Sequence, residues 1–371
     1  MPRGIHTDPA SFMQRALELA RRGEGYVEPN PMVGCVLVRD GVICGEGNHE
    51  KFGGPHAEVN AIGSCDDPKG TTAFVTLEPC CHTGKTGPCT KALIDAGVAE
   101  VIVATVDPFA EVAGQGIEEL KQAALQVTTG LLEAEARELN APYFKRVRTG
   151  MPWVIAKWAM TLDGKIATAS GSSKWISNEQ SREVVHQVRG RMDAVVVGIG
   201  TALADDPLLT SRPPGPRTAW RVVVDEQARL PVDSQLVTTV ADAPVAVAVG
   251  SDASPHKVEE LRSRGVEIIS VDGDSHAKQL GALLRGLGQQ NFTNVLFEGG
   301  SSVLGALFDR GLVDEVHCFV APKLVGGKAA LSPVGGQGVE QMQAAMQVES
   351  LKLKQLGGDI YVTGRLGELR E

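Results

Sequence analysis

His56, Glu58, Cys80 and Cys89 are the residues of this chain whose types and spacing point most directly to chemistry. An imidazole and two thiolates suit Zn²⁺, and three protein ligands leave the fourth tetrahedral position to water. Zinc lowers the pKa of a water it holds to about 7, which makes a hydroxide nucleophile available near neutral pH. Glu58, two residues after His56, is then placed to take a proton from that water and hand it to a leaving group. Cys81 and His82 compete as ligands: a centre built from Cys80, Cys81, His82 and Cys89 would be closed and purely structural. Cys35, Cys44, Cys65 and Cys318 stand in apolar contexts and read as core residues. His49 reads as a surface or pocket-rim histidine.

The elements that must hold these side chains follow from pattern. Pro55 leads into an apolar-periodic helix start at Val59 to Ile62, and Pro88 opens a second helix that runs on through Ala96. Both would aim positive helix ends at the site and favour thiolate. Upstream, residues 8 to 22 read as a helix. Met32 to Val38 and Val42 to Gly45 read as strands around an Asp40-Gly41 hairpin. Thr71 to Leu77 and Glu100 to Val106 are further strands, and Ile117 to Ala124 and Leu131 to Asn140 are helical. Such alternation gives an α/β layer.

The stretch Lys145 to Pro152 is basic and breaker-rich and is the expected boundary, giving domains 1–147 and 148–371. Beyond it, apolar runs begin at Trp153, Ala194, Val222, Val245, Val266, Val295, Val313 and Asp359. Helical patterns fall at Asn178 to Arg189, Lys257 to Arg264, Ala277 to Leu287 and Ser302 to Arg310. Gly198 to Leu203 lacks the third glycine of a dinucleotide fingerprint and reads as a tight turn. Phe297-Glu298-Gly299-Gly300-Ser301 reads as strand, glycine turn and helix start, whose free amides suit a pyrophosphate.

The chain has 371 residues, a length that suggests two domains at about 150 residues each. Residues 1–150 hold 14 Lys/Arg against 20 Asp/Glu, a net charge of −6, and the remainder carries −3 of the total of −9. An acidic surface repels phosphate backbones, so no extended nucleic-acid partner is expected. No apolar run approaches the roughly 18 residues of a membrane span, and Met1 to Gln14 lacks the apolar core of a signal peptide. Seven cysteines, an odd count, read as thiols and ligands rather than a disulfide framework. The expectation is a cytoplasmic protein with no membrane contact, acting on a small molecule as a homo-oligomer.

The His-x-Glu…Pro-Cys order is the ligand pattern of the zinc deaminases, although their generic signature has its second cysteine where Thr83 stands here. Residues 28 to 107 resemble the N-terminal half of the bifunctional riboflavin-biosynthesis deaminase–reductases. The likeness is carried by Pro29-Asn30-Pro31-Met32-Val33-Gly34, His56-Ala57-Glu58, Leu77-Glu78-Pro79-Cys80 and the Gly-Lys-Thr-Gly-Pro-Cys run at 84 to 89. Lys157 to Ala167, Ser172 to Ile176, Val197 to Arg212 and Phe297 to Leu307 resemble that family's reductase half.

The resemblance implies a cytidine-deaminase-like three-layer α/β/α domain followed by a dihydrofolate-reductase-like α/β domain that uses NADPH. It implies that Asn30 contacts a pyrimidine. Ala159, Trp175, Thr201, Asp205 and the run Gly300, Ser301, Ser302, Val303, Leu304, Gly305 and Ala306 would line the cofactor. Lys157, Ser173, Arg189, Leu209, Arg212 and Glu298 would face a ribose phosphate; two guanidinium groups suit a phosphate clamp. The alternative is a nucleoside or tRNA deaminase fused to an unrelated second domain, or a zinc-stapled scaffold without activity.

Overall fold

Asp40 and Gly41 both hold positive φ, 51° and 74°, and turn β1 (Gly34–Arg39) back onto β2 (Val42–Asn48) as an antiparallel hairpin. In this computed structural model, residues 8–82, 87–273 and 275–367 are described. The chain divides into two compact units, Met1–Gly150 and Met151–Glu371.

In the first unit β1 also pairs antiparallel with β3 (Thr72–Val75). The strands β4 (Glu100–Val103) and β5 (Gln126–Thr129) then add in parallel, giving the order β2-β1-β3-β4-β5. Strand alternation divides the core between two faces. Val36, Val38 and Phe74 pack with Phe12, Ala16 and Leu17 of α1 (Pro9–Ala20). Cys35, Leu37, Ala73 and Val75 face α2 (Ala57–Gly63), α3 (Cys89–Asp95) and α4 (Gln115–Gln122). Ala136 of α5 (Glu133–Leu139) returns to the α1 side, which completes three layers.

Sequence pattern misses two elements of this unit. β5 is an edge strand of mostly exposed polar residues, so no apolar alternation marks it. The basic stretch read as a boundary is α6 (Ala141–Thr149), with Pro142 in its first turn and Gly150 at φ 70° ending it. Arg146 and Arg148 lie in its last turn, where positive charge complements the negative end of the helix dipole.

The second unit is a nine-stranded sheet in the order β10-β9-β8-β7-β11-β6-β12-β14-β13. Seven strands are parallel: β6 (Trp153–Thr161), β7 (Ala194–Gly198), β8 (Trp220–Val224), β9 (Val245–Val249), β10 (Glu267–Ser270), β11 (Asn294–Glu298) and β12 (Glu315–Ala321). β13 (Val348–Leu356) and β14 (Asp359–Leu366) extend it antiparallel. The central strands are apolar on both faces, as a covered parallel sheet requires. Val196, Val222 and Phe297 meet Leu280 and Leu284 of α11 (His276–Gln289) and Leu304 and Leu307 of α12 (Ser301–Asp309). Val195, Val197 and Val223 meet Val188 of α7 (Glu179–Arg189), Ala202 of α8 (Ile199–Asp205), Leu236 of α9 (Gln235–Thr238) and Leu261 of α10 (Pro255–Ser263).

Gly198 to Leu203 is therefore not a tight turn. Gly198 caps β7 directly into α8, because Ile199 and Ala202 bury on one face with helical spacing. β13 was not legible either: eight of its nine residues are exposed, so its pattern has no buried side.

Candidate active sites

Three segments converge on the zinc-ligand candidates. His56 is the N-cap of α2, Cys89 is the first residue of α3 behind Pro88, and Cys80 follows β3. His56 Nδ1 lies 3.2 Å from Cys89 Sγ and 3.5 Å from Cys80 Sγ, and the three donor atoms fall within 4.8 Å of one another. Zn–N and Zn–S bonds at a tetrahedral angle put nitrogen and sulfur about 3.5 Å apart. The donor set therefore fits zinc in both chemistry and size. Cys81 turns away, its thiol donating to Glu111 O at 3.7 Å. His82 rests against Phe109, ring centroids 6.1 Å apart. Neither belongs to the three-donor group, and among the described residues no fourth side chain joins it. Residues 83 to 86, most of the loop between the ligand cysteines, lie outside the described residues.

Electrostatics favour one anionic sulfur here, that of Cys80. Cys89 donates to Cys80, His56 stands beside it, and the Cys89 amide points at its Sγ from 3.5 Å, so Cys80 is drawn down to about 4. Cys89 ionises second, its thiol pushed up by that same hydrogen bond and by burial. Glu58, in the first turn of α2, is 3% exposed. Burial first, and the Cys80 charge second, lift it to about 7, a value suited to accepting and returning a proton near neutral pH.

His49 is not at the surface: it is 2% exposed and its ring meets that of His56 edge-on at 5.1 Å. Its Nδ1 lies 3.0 Å from Pro55 O and its Nε2 3.3 Å from Asn30 Nδ2. Donation from Nδ1–H to the carbonyl leaves Nε2 as acceptor and fixes which way the Asn30 amide turns. Glu78 is a residue that sequence reasoning gave no role. Buried just before Pro79-Cys80, it accepts from the amides of Asp107, Gly114 and Ile117 at 3.2, 2.9 and 3.2 Å. Only its place beside the Pro-Cys step signalled it.

In the second unit the candidates gather around the carboxyl ends of β7 and β11 and the middle of β6. Glu298 ends β11 and is 7% exposed. Arg189 of α7 meets it with Nε and with Nη2 at 2.9 Å, and Lys157 Nζ of β6 lies 3.4 Å away. Burial alone would raise the Glu298 carboxyl, but the two cations hold it down at about 2. Arg189 thus spends its fork on a carboxylate. Its Nη1 reaches Thr210 O at 3.3 Å, while exposed Arg212 donates to Thr210 Oγ1 at 3.0 Å. Leu209 beside them is buried, with φ 56°.

Ser173 Oγ lies 3.5 Å from Asp205 Oδ1. Gly299 and Gly300, at φ 73° and 81°, open α12, and a Cβ on Gly300 would come within 3.5 Å of Thr201 Oγ1. The first amides of α12 have no acceptor within the helix, so this end is a ready anion cradle. Ser301 and Ser302 lie on it. Val303 and Leu304 send their side chains into the core, Ala306 packs against that core, and a Cβ on Gly305 would meet Gly335 and Gly336 backbone at 2.3 Å. Trp175 is exposed under the Arg182 guanidinium at 4.7 Å, and Ala159 packs with Phe319 and Tyr361.

Comparison with known proteins supplies the family. Residues 6–105 match the cytidine and deoxycytidylate deaminase zinc-binding region, and residues 152–362 match the RibD C-terminal domain. The chain is 45% identical over 352 residues to the riboflavin biosynthesis protein RibD of Actinobacillus pleuropneumoniae, covering 95% of this chain and 93% of that one. With the Escherichia coli K12 RibD it shares 38% over 364 residues, 94% and 97% of the two chains. Among solved structures, an Acinetobacter baumannii RibD aligns with TM-score 0.86 at 37% identity, over 97% and 99% of the chains. The Thermotoga maritima diaminohydroxyphosphoribosylaminopyrimidine deaminase/5-amino-6-(5-phosphoribosylamino)uracil reductase aligns with TM-score 0.82 at 35% identity, over 96% and 98%. With a His/Cys/Cys centre in one unit and a reductase fold in the other, this chain belongs to the RibD family, the zinc- and NADPH-dependent bifunctional deaminase–reductases of riboflavin biosynthesis.

Proposed function

We propose that His56, Cys80 and Cys89 hold the zinc and that Glu58 is the proton carrier of the deaminase. The substrate is 2,5-diamino-6-ribosylamino-4(3H)-pyrimidinone 5′-phosphate. The observation that carries this reading is the convergence of three zinc donors beside one buried carboxylate. Zinc, when bound there, supplies Lewis-acid activation of a water. Glu58 would take one proton from that water and pass it to the ring nitrogen, then take the second from the hydroxyl left on the ring carbon and pass it to the amine, which departs as ammonia. Asn30, its amide set by His49, would grip the pyrimidine edge.

In the second unit NADPH, when bound, would supply a hydride that, together with one proton, converts the ribosyl chain to ribityl, giving 5-amino-6-(5-phosphoribitylamino)uracil. The α12 amides with Ser301 and Ser302 would hold its pyrophosphate, with Thr201, Asp205, Ala159 and Trp175 along its length. Arg212 would meet the substrate phosphate together with Ser173, Leu209 and the Lys157–Glu298–Arg189 cluster. Incubating the purified chain with the diaminopyrimidine phosphate, with and without NADPH, and weighing the products tests both halves. Deaminated product without NADPH, and ribityl product only with it, is the expected outcome; release of ammonia from tRNA instead would overturn the reading.

Two wider assignments belong to the same proposal. No helix among the described residues is long and apolar enough to cross a membrane, and a cytoplasmic location is in keeping with the free thiols and the acidic charge. β13 is an edge strand exposing Val348, Leu351 and Leu353, next to exposed Ile360 on β14, which supports a homo-oligomer joined through this edge. Light scattering that gives a monomer mass would refute that assembly.

A further inference from the structure

β2 carries a bulge beside the C-terminal end of α2. Leu37 faces Gly45 and Val38 faces Ile43, so Cys44 is left without a cross-strand partner, and a bulge of this kind re-aims the extra residue's side chain. Its thiol lies 3.1 Å from Sγ of Cys65, one residue past Ser64, the C-cap of α2. The approach is set by backbone. A Cβ on Gly45 would come within 2.4 Å of Ala61 O, and one on Gly47 within 2.3 Å of Ala61 N, so α2 lies directly on β2. Cys65 is buried and Cys44 half-buried, both are free thiols, and neither belongs to the three-donor metal group.

We propose that Cys44 and Cys65 form a reversible disulfide, a modification site that fastens the C-terminal end of α2 to β2. An S–S bond is about 2.05 Å long, so closing the present contact takes about 1 Å of movement. A low-molecular-weight disulfide such as oxidised glutathione is the oxidant. The Cys44 thiolate attacks one of its sulfurs and expels one glutathione thiolate. The Cys65 thiolate then attacks Cys44 Sγ in the mixed disulfide and expels the second. Two protein thiols lose two electrons and two protons, and one disulfide becomes two thiols. Cys44 is the accessible partner and reacts first. Burial and the Cys65 neighbour push its thiol up to about 11, so the exchange is slow. The link closes a loop at the far end of the helix whose start holds His56 and Glu58, so it restricts unfolding without touching the metal donors.

The test is to incubate the zinc-loaded full-length chain with oxidised glutathione, alkylate the remaining thiols, and map peptides by mass without reduction. The expected result is one Cys44–Cys65 cross-link, unchanged zinc content, and a rise of about 5–10 °C in the melting of the first unit, reversed by dithiothreitol. Cys44→Ser and Cys65→Ser should each retain zinc and show neither the cross-link nor the rise. Glutathione remaining attached at Cys44, a cross-link to Cys81, loss of zinc, or thiols left unchanged would each overturn the proposal.

Discussion

His56, Cys80 and Cys89 meet because two helix starts and the loop after β3 converge on a common centre, and each contributes a donor atom of its own. Lys157, Arg189 and Glu298 meet for a different reason: a buried carboxylate at the end of β11 gathers cations from β6 and α7. The first cluster offers three donors that zinc would complete, and the second is already satisfied within the chain. The difference teaches that a metal centre depends on a few irreplaceable atoms. The site proposed for the reductase instead depends on a balanced charge cluster beside backbone amides.

Replacing one atom type at the metal centre should have the largest effect. Glu58→Gln keeps the shape of the side chain but cannot accept a proton; ammonia release should fall by up to about 10⁴-fold, with zinc content by metal analysis unchanged. NADPH oxidation on pre-deaminated substrate should continue, which also separates the two sites. If it stops as well, the sites are not independent.

The charge cluster breaks differently. Arg189→Ala leaves Glu298 buried beside Lys157 alone, and should destabilise the second unit by about 3–5 kcal/mol in denaturant titration. A change below about 1 kcal/mol would mean that the carboxylate reaches water.

Acid sharpens the same contrast. The Glu298 carboxyl is held at about 2 in the fold against an ordinary value of 4.5. A depressed pKa contributes stability that is full above pH 4.5 and drains as pH falls from 4.5 toward 2, a loss of about 3 kcal/mol at most. Thermal melts across that window should show the second unit weakening, and Glu298→Gln should flatten the slope.

The smallest effect concerns the cradle. Gly300→Ala places a side chain at φ 81° and within 3.5 Å of Thr201 Oγ1. The Michaelis constant for NADPH should rise about tenfold, on the order of 1–2 kcal/mol of strain, while deamination is untouched.

Much of the layer structure was readable from pattern. The Asp40-Gly41 hairpin, the helix behind Pro55 and the buried runs at Ala194 and Val245 are local signals, set by turn chemistry and by apolar continuity. Among the elements that escaped, β5, α6 and β13 are polar, basic or exposed on both sides, so no period distinguishes them. The sites divide the same way. His56, Glu58, Cys80 and Cys89 announce themselves by type, because few side chains bind zinc or move protons at this spacing. The place of His49 against Asn30 and the hold of Glu78 on three distant amides had no such mark.

Sequence alone determined which atoms are available to a metal, where strands and helices alternate, and that the chain carries excess acid. Tertiary structure decided the rest. It left Cys81 and His82 outside the donor group, buried His49 beside His56, committed Arg189 to Glu298, and turned Cys44 toward Cys65. Donor chemistry is a property of single residues, whereas proximity across as many as 109 positions is a property of packing that no local pattern records.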